Sequence, residues 1–333
     1  MEVKLETATS QIPGGNDLSV QRPNRFAQKP LLAFAALILV NAMWAFQFAG
    51  ARIATRELGA ELVTLVPMVL ATLLVLPFAR LSGNIFRTEY RSVLIDVCLL
   101  GTLGIVPAQL CLVLGVEGTL ASNASVLSLT VPVFTALCAS VFLHERMTKL
   151  RWLSFLIAIL GVCLVSIKDI HEARLFRLEY LEGNLLVLAS CAGSAFNNSY
   201  SRRALARISP AQVMVWSYIV ADVELAAIWA VADLGSWRQL GGLGPSVWWS
   251  LLLVAIFSLG FSMLLYFSVI QAVEVLRAAL SVYLLPVFGL VFSSVLLKEH
   301  LTPSLMAGGA LIFISCFLVT VYEEKRRMQQ SER

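Results

Sequence analysis

Asn41, Trp44, Gln47 and Phe48 fall at i, i+3, i+6 and i+7 of one apolar run, so on a helix they share one face. That face mixes amide groups with aromatic rings. Gln109 after Pro107, Asn123 near Ser125, Asn197 beside Asn198, Tyr266, and Tyr283 near Ser281 bring the same chemistry to other runs. Amides donate and accept hydrogen bonds, and aromatic rings wall a pocket, without any covalent step. Each residue alone has a simpler use, an interhelical hydrogen bond worth about 0.6 kcal/mol on average. As a set, Asn41, Trp44, Gln47, Gln109, Asn123, Asn197, Tyr266 and Tyr283 are the candidate substrate-binding residues. They suit a small neutral, zwitterionic or aromatic molecule.

Charged groups are few. Asp222 and Glu224 lie near the middle of another apolar run, and residues two apart on a helix point about 200° away from each other. They therefore serve different faces. Either is a candidate proton-coupling carboxylate, because an acid withdrawn from water holds its proton more tightly. The alternative is an ion pair with Arg277 or Arg52. Arg277 also lies one turn from Glu274, a local pair, and is a candidate to face an anionic group of a substrate. Asp96 stands near the start of a run, where water is expected to reach it, and carries no assigned role.

No catalytic or metal-binding set is legible. Cys98, Cys111, Cys138, Cys163, Cys191 and Cys316 sit inside apolar runs with no CxxC pair, which suits small buried side chains. His144, His171 and His300 are scattered through connecting segments. The chain has no Walker motif, so direct ATP coupling is not expected. No cofactor and no metal are expected. Asn123-Ala-Ser125 and Asn197-Asn-Ser199 match a glycosylation triplet, but both fall inside apolar runs and read as accidental.

These residues need a scaffold. The chain has 333 residues, 58% of them hydrophobic and 14% charged, with a formal net charge of +4. Mean hydropathy is +0.80. Soluble domains are nearer 45–50% apolar and 25% charged. This composition excludes a soluble enzyme, a disordered protein and a nucleic-acid-binding domain. Apolar stretches occur at about 31–51, 62–81, 93–114, 119–143, 150–168, 184–201, 210–232, 247–270, 275–297 and 304–322. Each approaches the roughly 20 residues needed to cross a bilayer, and lipid forces such segments into helices. The fold expected is an all-α integral membrane protein with ten transmembrane helices. Residues 1–30 read as a disordered cytoplasmic tail without the features of a signal peptide. Residues 323–333 read as a basic cytoplasmic tail containing Lys325, Arg326 and Arg327. With the N-terminus inside, 18 of the 25 Lys and Arg lie on the cytoplasmic side and 7 on the other, which places both termini in the cytoplasm.

The chain also repeats itself. Residues 132–149 read PVFTALCASVFLHERMTK and residues 286–303 read PVFGLVFSSVLLKEHLTP. One register pairs Pro132 with Pro286, Glu145 with Glu299 and Thr148 with Thr302. A fainter echo pairs Ala45-Phe46 with Ala195-Phe196. The repeats are residues 31–168 and 184–322, five helices each. Five crossings are odd, so the second copy would run in the opposite sense, an inverted repeat with binding at the midplane between the halves. Pro132 and Pro286 are candidate hinges, since each removes a backbone hydrogen bond. Glu145 and Glu299 are expected to cap the helix that follows each, with Thr148 or Thr302 as the N-cap.

P-V-F-x(9)-HER, its partner P-V-F-x(9)-KEH, and Trp44-Ala45-Phe46-Gln47 resemble the drug/metabolite transporter superfamily, and most nearly its EamA type. The resemblance covers about residues 31–322. It implies ten helices, cytoplasmic termini and export of small metabolites or amino acids across a bacterial inner membrane. In such a family the peripheral helices five and ten, with Ala158, Gly161, Ala307, Gly308 and Gly309, suit contacts between two copies, so a homodimer is a candidate assembly. The expected function is a secondary exporter working by alternating access. An uncoupled facilitator is the near alternative. An integral-membrane lipid-modifying enzyme would need a His/acid or Ser/His cluster that the chain does not show. A non-transporting receptor would not need the repeat. The expected partners are a small-molecule substrate and the lipid bilayer, not nucleic acid.

Overall fold

A computed structural model describes residues 30–82, 93–142, 149–166, 180–270 and 282–331. Glu274, Arg277, Ser281, His144, Glu145, Thr148 and His171 lie outside these residues. Every regular element among the described residues is helical. In order these are α1 (Pro30–Ala54), α2 (Ala60–Leu81), α3 (Leu94–Gly118), α4 (Ala121–Leu127), α5 (Val131–Phe142), α6 (Lys149–Val165), α7 (Leu181–Leu205), α8 (Pro210–Asp233), α9 (Pro245–Val269), α10 (Leu284–Leu297) and α11 (Pro303–Ser331). Five of them, Leu31–Ala54, Ala60–Leu81, Leu94–Gly118, Pro210–Gly242 and Pro245–Val269, are long and apolar enough to cross a bilayer.

Local sequence explains where several helices start. Ser209 begins α8 with a capping box: its hydroxyl accepts from Gln212 N–H (3.3 Å), and Gln212 Oε1 accepts from Ser209 N–H (3.1 Å). Pro210 then occupies the first turn, where a missing N–H costs nothing. Thr302 does the same for α11, accepting from Leu305 N–H at 3.2 Å ahead of Pro303. Gly244-Pro245 opens α9.

Two kinds of departure from a regular helix follow. The stretch 119–143 is not one helix: a 3-10 turn at Ser128–Thr130 separates α4 from α5. Pro132 follows that turn, and without an N–H it cannot bond the carbonyl of Ser128. Wide π-turns interrupt α3 at Leu100–Ile105 and α9 at Val254–Phe261, and a third ends α10 at Ser293–Leu297. The basic segment from 323 continues α11 to Ser331 rather than leaving it.

Packing relies on close backbone approach. A Cβ on Gly161 of α6 would stand 2.8 Å from the carbonyl oxygen of Gly308 in α11, and one on Gly308 2.6 Å from that of Gly161. Ser315 of α11 also donates to the Ser154 carbonyl at 2.6 Å. The small residues expected to serve a second copy at Gly161 and Gly308 thus face each other within one chain. On the outer surface Leu81 (86% exposed), Val231 (90%) and Ile95 (71%) have no protein neighbours to cover them. Apolar side chains on the outer face of such helices suit contact with lipid.

Candidate functional site

Helices α1, α3, α5, α7, α8, α9 and α10 border a cavity of about 140 Å³. Asn41, Trp44, Gln47 and Phe48 all line it from α1. The face read from their spacing is therefore one wall. Gln109 lines it from α3 and Asn197 from α7. Gln47 Nε2 donates to Gln109 Oε1 across the two helices. Asn41 donates to the Leu37 carbonyl at 2.8 Å, which satisfies one amide proton within α1.

The other candidates lie elsewhere. Tyr266 packs edge-on against Trp44 with ring centroids 4.9 Å apart, so it backs the cavity wall rather than forming it. Tyr283 meets Phe313 of α11 at 4.9 Å. Asn123 is 2% exposed, and its amide donates to Thr119 Oγ1 (3.1 Å) and the Val165 carbonyl (3.3 Å), a bond between helices. Pro132 follows the 3-10 turn whose first residue, Ser128, lines the cavity; Pro286 lies in the first turn of α10, next to the lining residue Leu285.

Asp222 and Glu224 do serve different faces. Thr72 of α2 donates to Asp222 Oδ2 at 2.6 Å, while Thr102 of α3 donates to Glu224 Oε1. Neither carboxylate lines the cavity, although Tyr218, one turn before Asp222, does. Arg52 is not the counter-ion of either acid. Its guanidinium donates to the carbonyls of Val116 (2.6 Å) and Glu117 (2.9 Å) at the end of α3, where it complements the helix dipole.

Asp96 corrects the expectation of a wet, idle acid. It is 4% exposed and accepts from Tyr200 at 2.9 Å. Arg203 and Arg207 approach it at 3.5 and 3.3 Å, joining the start of α3 to the end of α7 and the turn beyond it. A buried carboxylate is tolerated only with such partners. Glu299 also departs from expectation. It caps α4, not α11: its oxygens accept from the N–H groups of Ala121 (3.0 Å) and Ser122 (2.9 Å).

Sequence reasoning missed several lining residues: Ser128, Ser190, Cys191, Ser194, Tyr218 and Met263. Asn198, noted beside Asn197, lines the cavity too. Tyr218 is fixed by its hydroxyl donating to the Leu259 carbonyl at 2.9 Å, a carbonyl within the π-turn of α9. A usable signal existed. The register pairing Ala45-Phe46 with Ala195-Phe196 carries Asn41, Trp44, Gln47 and Phe48 onto Cys191, Ser194, Asn197 and Asn198. All eight line the cavity.

No Asp, Glu, Lys or Arg among the described residues lines this cavity. The described residues also hold no cluster of three metal-ligating side chains. The site can bind through amides, hydroxyls, a thiol and aromatic rings, with no carboxylate, imidazole, ammonium or guanidinium among its lining residues.

The model of the EamA-like transporter family matches residues 31–167 and 181–321. The chain belongs to that family. Among relatives of this EamA-like protein is a probable terminal-alkyne amino-acid exporter from Streptantibioticus cattleyicolor, 27% identical over 297 residues, covering 89% of this chain and 96% of the relative. The uncharacterized transporter YoaV of Bacillus subtilis is 22% identical over 303 residues, 88% of this chain and 98% of that one. An uncharacterized transporter of Archaeoglobus fulgidus is 26% identical over 220 residues, 66% and 75% of the two chains. One solved crystal structure superposes with a TM-score of 0.58 at 18% identity, covering 87% of this chain and 98% of that one, a likeness of fold. The EamA-like chain is an integral membrane transporter.

Proposed function

We propose that this transporter is a ten-helix inverted repeat that exports small neutral, zwitterionic or aromatic metabolites, amino acids foremost, by alternating access. The observation that carries the reading is the cavity wall: four positions of α1 and the same four register positions of α7 line one uncharged cavity. A site shared by two oppositely oriented halves lets inward- and outward-facing states have similar energies.

Further contacts support the repeat. The register pairing Pro132 with Pro286 carries Ser154 to Gly308 and Gly161 to Ser315. The Ser154–Ser315 hydrogen bond and the Gly161–Gly308 crossing are then one contact seen from each half. The same two registers carry Gly104 to Ser258 and Gly193 to Met43. Gly193 meets the Gly104 carbonyl, and Ser258 donates to the Met43 carbonyl at 2.5 Å. The π-turns of α3 and α9 begin at corresponding residues, Leu100 and Val254.

The size of the cavity argues for the substrate class. Pockets for drug-sized ligands hold roughly 300–1,000 Å³. A cavity of about 140 Å³ suits a metabolite of amino-acid size. The relative named as an amino-acid exporter agrees. The distribution of Lys and Arg, 18 to 7, supports cytoplasmic termini in a bacterial inner membrane. Purified protein in liposomes, offered amino acids, nucleosides and amphipathic drugs with and without a pH gradient, tests the proposal. Amino-acid flux is expected. No flux of any compound from folded protein overturns the transport reading, and flux indifferent to every ion gradient replaces the coupled exporter with a facilitator.

A further inference from the structure

Two voids meet at one hydrogen bond. Beside the central cavity lies a smaller void of about 10 Å³. Of all the residues lining either one, only Gln47 and Gln109 line both. Gln47 Nε2 donates to Gln109 Oε1, so the wall between the voids is an amide-to-amide bridge.

The smaller void leads toward one face. It is bounded by Ala54 at the end of α1, Val63 near the start of α2, and Ser250 and Leu251 near the start of α9. These surround the loops at 55–59 and 243–244. That face is drawn together elsewhere. Glu57 accepts from Gly244 N–H at 3.0 Å, Arg52 holds the carbonyls ending α3, and Glu299 caps α4. The smaller void has no charged lining residue; Thr64 and Ser250 contribute its hydroxyls. The smaller void is therefore narrow and uncharged, and the amide bridge separates it from the cavity.

The opposite side is built differently. The repeat register carries Gln47 to Asn197 and Gln109 to Met263. Both line the central cavity. A thioether is only a weak acceptor, so this pair can form no bridge of comparable strength.

We infer that the Gln47–Gln109 bridge is a selectivity partition between the substrate cavity and the exit toward loops 55–59 and 243–244. The inference rests on the transport reading above. A solute passes by replacing the bridge with hydrogen bonds of its own. Molecules presenting a donor and an acceptor together, such as α-amino acids and primary amides, meet both stranded amides. An aromatic cation such as ethidium has N–H donors but no good acceptor, so it leaves the Gln47 amide protons unpaired, and an unpaired buried amide is costly. Rejection by unpaired polar groups discriminates more strongly than shape alone.

The test uses full-length protein in liposomes, with radiolabelled leucine and glutamine and fluorescent ethidium as probes. In the Gln47→Leu/Gln109→Leu variant, amino-acid flux should fall about tenfold, as expected for unreplaced hydrogen bonds, while ethidium flux does not fall. In the Gln47→Ala/Gln109→Ala variant the partition is shortened, and the preference for leucine over ethidium should drop about tenfold through faster ethidium entry. A merely structural role lowers leucine and ethidium flux together in both variants, and that result overturns the inference. So does wild-type selectivity in both. If the double variants do not fold, Gln109→Glu, which keeps size and acceptor, should shift preference toward ethidium by about tenfold, and an unchanged preference overturns the inference. Wild-type flux intact with partition variants unaltered sinks the partition alone. Absence of wild-type flux sinks the transport reading and the partition with it.

Discussion

Glu299 accepts a hydrogen bond from the backbone N–H of Ser122 at 2.9 Å, joining the segment after α10 to the start of α4. Its other oxygen takes the N–H of Ala121 at 3.0 Å. The backbone is shaped for this contact. A π-turn at Ser293–Leu297 is followed by Lys298 in the left-handed region at φ 57, the one such non-glycine among the described residues. A conformation of that kind costs energy for a residue with a Cβ, so the surrounding contacts must hold it. A carboxylate on two free N–H groups at a helix N-terminus gains from both hydrogen bonding and the helix dipole. Glu299→Ala should therefore lower stability by about 1–2 kcal/mol, read as earlier thermal unfolding in detergent. Lys298→Gly, which relieves the strained turn and keeps the carboxylate, should leave unfolding unchanged or delay it.

Gly161 and Gly308 set the distance between α6 and α11. A Cβ on either would strike backbone of the other, at 2.8 and 2.6 Å. Backbone cannot step aside as a side chain can, so Gly161→Ala should destabilise the protein by roughly 1–3 kcal/mol. Gly241→Ala is the control, since nothing lies within 4 Å of its added methyl. Thermal melts of the two variants side by side check this. Equal melting would mean that α6 and α11 separate freely.

Much of the architecture was legible in the chain. Long apolar runs dictate helices in lipid, and the spacing of Asn41, Trp44, Gln47 and Phe48 marks the face of α1 that lines the cavity. The run 184–201 is interrupted by Asn197 and Asn198, and they interrupt it where α7 faces the cavity. Asn123 shows the limit. An amide at a plausible place can satisfy a neighbouring helix instead, as its bonds to Thr119 and Val165 do, and spacing alone does not distinguish the two uses. The destination of Glu299 was illegible for another reason. Its partners are 177 and 178 residues away, and the turn that aims it depends on a left-handed Lys298, a conformation no residue-type rule favours.

Asp222 and Glu224 can be separated by function because they touch different helices. Asp222 joins α2 through Thr72 and stands one turn from Tyr218 in the cavity wall, whereas Glu224 meets Thr102 on α3. If a carboxylate on α8 couples protons to substrate, Asp222 has the connection to the site. Asp222→Asn should then abolish accumulation driven by a pH gradient while counterflow of unlabelled for labelled substrate continues. Glu224→Gln should retain both. Gradient-driven accumulation surviving in Asp222→Asn and in the double variant removes proton coupling from this helix.

Trp44 and Tyr283 were candidates on equal footing, and their surroundings now predict different defects. Trp44 lines the cavity and leans on Tyr266 at 4.9 Å, so its truncation removes a wall and leaves the ring behind it unsupported. Tyr283 instead meets Phe313 of α11 at 4.9 Å, an aromatic pair of a kind worth about 0.5–1.5 kcal/mol beyond burial. Trp44→Ala should raise the KM for amino-acid counterflow at least about tenfold, since a stacking surface for substrate is lost, with the protein still folded. Tyr283→Ala should lower the melting temperature and leave KM near wild type in the protein that remains folded. Trp44→Phe, which keeps an aromatic face, should recover most of the affinity. A Tyr283→Ala variant with normal stability and a raised KM would place Tyr283 in the substrate path in another conformation of the cycle, and would extend the cavity toward α11.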